Sequence, residues 1–175
     1  RIFHSHGLTL FDVEELSTHG GSLRIYARHT EDTTKPITER VDQLKQKEMN
    51  AGYTDIHHYL GFQEKVKGIK KDILKFLIQA KEECKRVVGY GAPAKGNTLL
   101  NYCGVRTDFI DYTVDRNPYK QGHFLPGSHI PIEEPNKVKE TKPDYLFILP
   151  WNLKDEIMEQ MAFIRQWGGK FVVPI

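Results

Sequence analysis

The residues best suited to chemistry lie in one short segment, Gly89-Tyr90-Gly91-Ala92-Pro93-Ala94-Lys95. Gly89, Gly91 and Ala94 follow the spacing G-x-G-x-x-G/A between an apolar run, Arg86–Tyr90, and a helical stretch, Ala94–Tyr102. Strand before and helix after are the context in which that spacing means a phosphate-binding turn. The first glycine permits a tight turn, the second lets a pyrophosphate approach the backbone, and the small third residue lets helix and strand pack closely. The helix start then offers free N–H groups and partial positive charge. Lys95 puts a cation in the first helical turn, against the helix dipole. A residue that breaks a local rule marks a candidate site. Lys95-Gly96-Asn97-Thr98 lacks the GK[ST] order of a Walker A loop.

Three further groups fall on the same edge of the expected sheet. Asp115 ends a second apolar run, Phe109–Asp115, where an acidic side chain could hold the ribose of NAD. It also opens the polar turn Asp115-Arg116-Asn117-Pro118-Tyr119-Lys120, and turn chemistry explains it equally well. The long loop Asp115–Pro131 carries Lys120, Gln121, His123, Pro126, Gly127 and His129 at the carboxyl edge, where open α/β sheets bind ligands. Pro150-Trp151-Asn152 follows the run Asp144–Leu149. Trp151 suits either stacking on a ring or plugging the start of a helix. Away from this edge, His19 sits beside two glycines in Thr18-His19-Gly20-Gly21-Ser22, where its ring could face a cleft or close a turn. His57-His58 reads as helix packing, and Lys65, Lys67, Lys70, Lys71 and Lys75, interspersed with Glu64 and Asp72, as a solvated face.

The elements that must position these groups follow from periodicity. Gly7 suits a helix end, Leu8–Leu16 an extended segment, and Leu23–Arg28 alternates as a half-buried strand. Together they predict a β-hairpin over residues 8–28. A lone hairpin is marginal in water, so it must pack on something else. Pro36 suits the first turn of a helix running to Asn50, and Thr54 can cap a longer one. That second helix carries an apolar stripe from Ile56 to Cys84, weakened at Gly61 and Gly68, where a break is expected. From Arg86 onward, strands alternate with helices: Arg86–Tyr90, helix Ala94–Tyr102 stopped by Gly104, Phe109–Asp115, a short piece His129–Ile132, Asp144–Leu149, helix Trp151–Gln166 and strand Lys170–Val173. This order predicts right-handed crossovers and a Rossmann-like, mostly parallel α/β sheet with flanking helices, preceded by a β-hairpin and two N-terminal helices. The expected domains are a hairpin over 1–29, a helical connector over 30–85 and the Rossmann-like part over 86–175.

The bulk properties narrow the class. The chain has 175 residues, enough to bury a core without staples. A formal net charge of +2 gives no field that would favour nucleic acid or a membrane surface. No run approaches a membrane helix, and no signal peptide is present, so the cytoplasm is the expected location. The two cysteines, Cys84 and Cys103, lie in apolar stretches and read as buried thiols, and no metal-binding spacing occurs. The first residue is Arg1, inside an apparent helix end, which reads as a piece of a longer protein.

Five ordered motifs carry a resemblance over nearly the whole chain. They are Thr18-His19-Gly20-Gly21-Ser22-Leu23-Arg24, Gly89 through Thr98, Asp115 through Gly122, Leu125-Pro126-Gly127-Ser128-His129-Ile130-Pro131, and Pro150-Trp151-Asn152. The set resembles the C-terminal domain of SAM-dependent sugar C-methyltransferases, which act on nucleotide-linked keto-deoxysugars. The resemblance implies an upstream zinc segment and SAM-binding core, neither represented here, with residues 1–29 similar to the closing hairpin of that core. It implies a nucleotide-sugar substrate, S-adenosylmethionine for the full enzyme but no cofactor or metal held here, and no activity for this part alone. The substrate-binding candidates are then Gly89, Tyr90, Gly91, Ala92, Pro93, Ala94, Lys95, Asn97, Asp115, Lys120, His123, Trp151 and Asn152. No catalytic residue is expected, unless His19 is one. Two other readings compete: an NAD(P)-binding module, which Asp115 would support, and a non-catalytic assembly domain built on the long helix.

Overall fold

The computed structural model describes residues 1–175, apart from the side chain of His19. The chain divides into two compact units, Arg1–Gln63 and Glu64–Ile175.

In the first unit a short helix α1 (Ile2–Ser5) leads into β1 (Leu8–Leu16) and β2 (Ser22–His29). The strands pair antiparallel from Leu8↔His29 to Leu16↔Ser22, with an irregularity between Leu10 and Asp12. Just beyond that irregularity, Asp12 takes hydrogen bonds from Thr38 Oγ1 (2.6 Å) and Arg40 Nε (2.9 Å). The Thr38 hydroxyl and the Arg40 guanidinium hold the Asp12 carboxyl below its usual range. These bonds fasten the start of α2 (Glu39–Asn50) to β1. Pro36 therefore lies outside the helix it was expected to open, and Thr38 stands at its N-cap. The cap of α3 (Ile56–Leu60) is Asp55, which accepts from His57 N at 2.9 Å, rather than Thr54. The long helical stripe does break at Gly61, while Gly68 stays inside α4 (Phe62–Glu82).

In the second unit the parallel strands β3 (Val87–Tyr90), β4 (Thr113–Val114), β5 (Ile132–Glu133), β6 (Tyr145–Ile148) and β7 (Lys170–Val172) stand in the order β5-β4-β3-β6-β7. The helices are α4, α5 (Ala94–Cys103), α6 (Lys137–Thr141) and α7 (Lys154–Gln160). Parallel sheets are buried on both faces, and β3 and β6 show it by alternation. Val87 and Phe147 enter one core with Ile73, Leu77 and Ala80 of α4 and Leu100 of α5. Val88, Leu146 and Ile148 enter the other with Val138 of α6 and Ile157 of α7. The polar stem of the sheet is tied by Asp144, which accepts from Arg86 N (2.9 Å) and Lys85 Nζ (3.2 Å).

Four expectations need correction. The second strand is only Thr113–Val114, because Phe109 N and Ile110 N both donate to Arg106 O and turn the chain first. His129 takes a left-handed φ of +56°, so the extended piece starts later, at Ile132. The helix expected over Trp151–Gln166 is three pieces, with 3-10 turns at Trp151–Leu153 and Ala162–Trp167 flanking α7. Buried Ile157, Met161 and Ile164 stand at i, i+4 and i+7, the spacing of one continuous α-helix, so the pattern does not reveal the change to a 3-10 turn. Cys84 is exposed, in a left-handed turn closing α4 with Lys85 N on Ala80 O, while Cys103 is buried. Among the described residues, no helix is long and apolar enough to cross a membrane.

Leu77 is fully buried between α4 and the sheet. Leu77→Ala should destabilise this unit by about 2–5 kcal/mol. Both tryptophans, Trp151 and Trp167, lie in this unit, so their fluorescence in a urea titration reads it selectively; an unchanged midpoint would mean that α4 does not pack there. The backbone bond from Arg86, seconded by Lys85, holds the Asp144 carboxyl below its usual range. A lowered folded pKa adds stability above the unfolded value and loses it as pH falls. The stability difference between wild type and Asp144→Asn should be full at neutral pH and shrink as pH falls through about 4.

Candidate functional site

The turn leaving β3 is held from three sides. Gly91 N donates to Val114 O (2.6 Å), and Thr113 Oγ1, fully buried, donates to Gly91 O (2.8 Å). Ala92 N donates to Asp115 Oδ2 (2.7 Å), and Lys120 Nζ bridges Ala92 O (3.0 Å) and Asp115 Oδ2 (3.3 Å). Asp115 Oδ1 accepts from Asn117 N at 2.9 Å. Both oxygens of Asp115 thus hold its own neighbourhood together, with Oδ2 taken by Ala92 and Lys120, and this structural duty weakens the feature that supported an NAD reading. Lys120, expected to face an anion, gives its ammonium to Ala92 O and Asp115 Oδ2, while its side chain stays partly exposed and lines the pockets on both sides of the turn.

The small residues play different parts from those their spacing suggested. Gly91 has φ +89°, and a Cβ there would lie 2.6 Å from Pro150 Cδ, so the close neighbour at the second glycine is Pro150. A Cβ on Gly89 would lie 2.7 Å from Thr113 Oγ1. A close approach of helix to strand is made at Gly96, whose Cβ would lie 2.7 Å from Leu149 Cβ.

Beyond the turn, Pro93 stands at the N-cap of α5 with no side-chain cap on the helix. The first-turn N–H groups therefore face outward with their partial positive charge. Lys95 Nζ donates to Asn152 Oδ1 and lies 4.6 Å from the centroid of the Trp151 ring. The fold so brings together three candidates from opposite ends of the unit: Lys95, Trp151 and Asn152.

Two pockets flank this turn. One, of about 250 Å³, lies between the segments after β3 and β6, where the direction of strand order reverses. Open α/β sheets bind ligands at that crevice. Tyr90, Pro93, Arg116, Pro150, Leu153 and Gln160 line it. Tyr90 donates its hydroxyl to Gln160 Oε1 at 2.9 Å, and burial raises its pKa, so it stays a neutral donor at neutral pH. The other pocket, of about 470 Å³, is lined by Ala94, Asn97, Tyr119, His123, Phe124 and Pro126. His123 Nδ1 is 3.1 Å from Gln121 O, and its ring is exposed. A pocket of similar size in the first unit is lined by Arg40 and Lys47, which already pair with Asp12 and with Glu15. His19 belongs to the first unit, and its side chain lies outside the described residues.

Sequence reasoning missed Thr113, Pro150, Tyr119 and Phe124. A threonine inside a buried strand run and a tyrosine inside the polar turn Asn117-Pro118-Tyr119-Lys120 were the available signals. Nothing local marked Pro150 as the neighbour of Gly91.

Residues 17–175 match a family described as C-methyltransferase C-terminal domain. The chain is 33% identical over 174 residues to C-methyltransferase NovU of Streptomyces niveus, a match covering 99% of this chain and 41% of that protein. The chain thus spans about two fifths of the length of this curated relative.

Removing the clamp should be visible locally. Asp115→Ala leaves the Ala92 N–H without its carboxylate and should cost about 1–3 kcal/mol. Amide exchange should then quicken at Ala92 more than at Val88 in the strand below; equal exchange at Ala92 in both proteins would show the clamp to be idle.

Proposed function

The chain belongs to the C-methyltransferase C-terminal domain family, and on that premise we propose that its Glu64–Ile175 unit is the substrate-side domain of a SAM-dependent C-methyltransferase acting on a nucleotide-linked keto-deoxysugar. The observation that carries this reading is the meeting of Lys95, Asn152 and Trp151 at the uncapped start of α5, beside the pocket where strand order reverses. A diphosphate placed there receives first-turn N–H groups and the Lys95 ammonium. Lys95 exchanges its neutral partner, the Asn152 carbonyl, for a phosphate oxygen, and charge-assisted hydrogen bonds are the stronger ones. Asn152 and Trp151 keep the ammonium near this position before the ligand arrives. Tyr90, Arg116 and Gln160 line the adjoining pocket with groups suited to sugar hydroxyls.

S-adenosylmethionine is the methyl donor this reading implies, and the residues of this chain do not fit it. Asp115 is spent on Ala92, Asn117 and Lys120, and Pro150 fills the space beside Gly91. No step of methyl transfer is therefore assigned to these residues. The donor site and the catalytic base belong, in this proposal, to a preceding domain of a longer chain, and this chain alone is inactive. His19 stays a candidate for that chemistry only as a neighbour of such a domain.

Titration calorimetry with dTDP, a dTDP-sugar and NAD tests the reading. The first two should bind, and Lys95→Ala should weaken both by about 1–3 kcal/mol. Unchanged affinity in the variant would leave Lys95 in solvent. Binding of NAD without any response to dTDP would replace the proposal with a dinucleotide site.

A further inference from the structure

The pocket on the α5 side of the turn has an unusual wall. Tyr119 is 89% exposed and Phe124 is 59% exposed, although both rings are carried on backbone that is firmly tied. Tyr119 N donates to Asn117 Oδ1 at 3.0 Å. Gly122 N and Ile132 N exchange bonds with Ile132 O and His123 O, each at 2.8 Å, and Leu125 N donates to Ile130 O at 2.9 Å. Leu125 and Ile130 are buried in the core beneath. From the other side, Asn101 Nδ2 donates to Pro126 O (2.9 Å) and Arg106 Nη1 to Gly127 O (2.8 Å). Two aromatic rings left in water on a pinned loop, at the mouth of a pocket, are a surface built to be covered.

The chemistry of the neighbours says by what. The pocket begins at Ala94 and Asn97, on the first turns of α5, directly beside the proposed diphosphate position. Its volume of about 470 Å³ is ample for one planar heterocycle. Asn97 Oδ1 accepts from Asn101 Nδ2 at 3.3 Å, which leaves its own amide N–H groups as the end available to a ligand carbonyl. Trp151, the other aromatic at this edge, already has a cation over its ring. On these grounds, and resting on the reading of the site as a nucleotide-sugar cleft, we propose that the pocket lined by Asn97, Tyr119, His123 and Phe124 takes the nucleobase, stacked on the exposed aromatic rings, while the sugar lies on the opposite side of the turn, toward Tyr90 and Gln160.

The test compares dTDP with inorganic pyrophosphate in calorimetric titrations of the chain. The double variant Tyr119→Leu/Phe124→Leu keeps apolar bulk and removes both rings; circular dichroism checks its fold. It should weaken dTDP binding by about 5- to 150-fold, as loss of base–aromatic stacking does, and leave pyrophosphate binding unchanged. Leu153→Ala, in the opposite pocket, should leave both unchanged. The inference is overturned if the double variant binds dTDP as the wild type does, if Leu153→Ala carries the loss, or if dTDP binds the wild type no better than pyrophosphate. Failure of the wild type to bind either compound would instead overturn the nucleotide-sugar reading itself, and the base pocket with it.

Discussion

One carboxylate organises the candidate site. Asp115 accepts from the Ala92 backbone, from Asn117 and from Lys120, and so ties the end of β4 to the turn that leaves β3. Without that tie, the direction in which α5 starts would be free to drift, and with it the uncapped N–H groups, Lys95 and the two flanking pockets. A charged acceptor is well suited to the task. It satisfies the backbone donor of a tight turn and a neighbouring ammonium at once, and charge-assisted bonds of this kind are the stronger ones.

The same arrangement explains why the acidic residue misleads when read from sequence. An aspartate at the end of the second strand of a Rossmann-like sheet suggests a ribose, and the spacing of Asp115 from the glycine turn fits that pattern. What spacing does not carry is the position of Lys120 and Ala92, both of which claim the carboxylate in the folded chain. Elements with strong alternation were legible: β1 spans the expected Leu8–Leu16, and β3 and α5 fall within a residue of their expected bounds. Elements whose identity depends on distant hydrogen bonds were not. The run before Thr113 turns on Arg106 O, and α6 has a single buried apolar residue, Val138, and so leaves no stripe to read. The glycine turn itself was found from its spacing, yet the neighbours that make each glycine necessary, Thr113, Pro150 and Leu149, come from other strands.

The two units differ in how they hold themselves together. The Glu64–Ile175 unit has two apolar cores on the two faces of a parallel sheet. The Arg1–Gln63 unit relies more on a charged network around Asp12 and Arg40, with Leu23, Ile25, Ile56 and Leu60 exposed. A family profile that begins at residue 17 includes β2, α2 and α3 along with the sheet. Resemblance at the level of the family therefore embraces both units, while the geometry that can receive a ligand is concentrated in the second.

The contact between Gly91 and Pro150 has a consequence for how a ligand would arrive. It wedges the segment after β3 against the segment after β6, the two lips of the crevice where strand order reverses. Lips in contact leave the crevice already formed before a guest arrives. A guest meets a socket cut to shape in advance, so association should resemble a single collision followed by a short search in orientation, with no slow reorganisation of the backbone at the crevice.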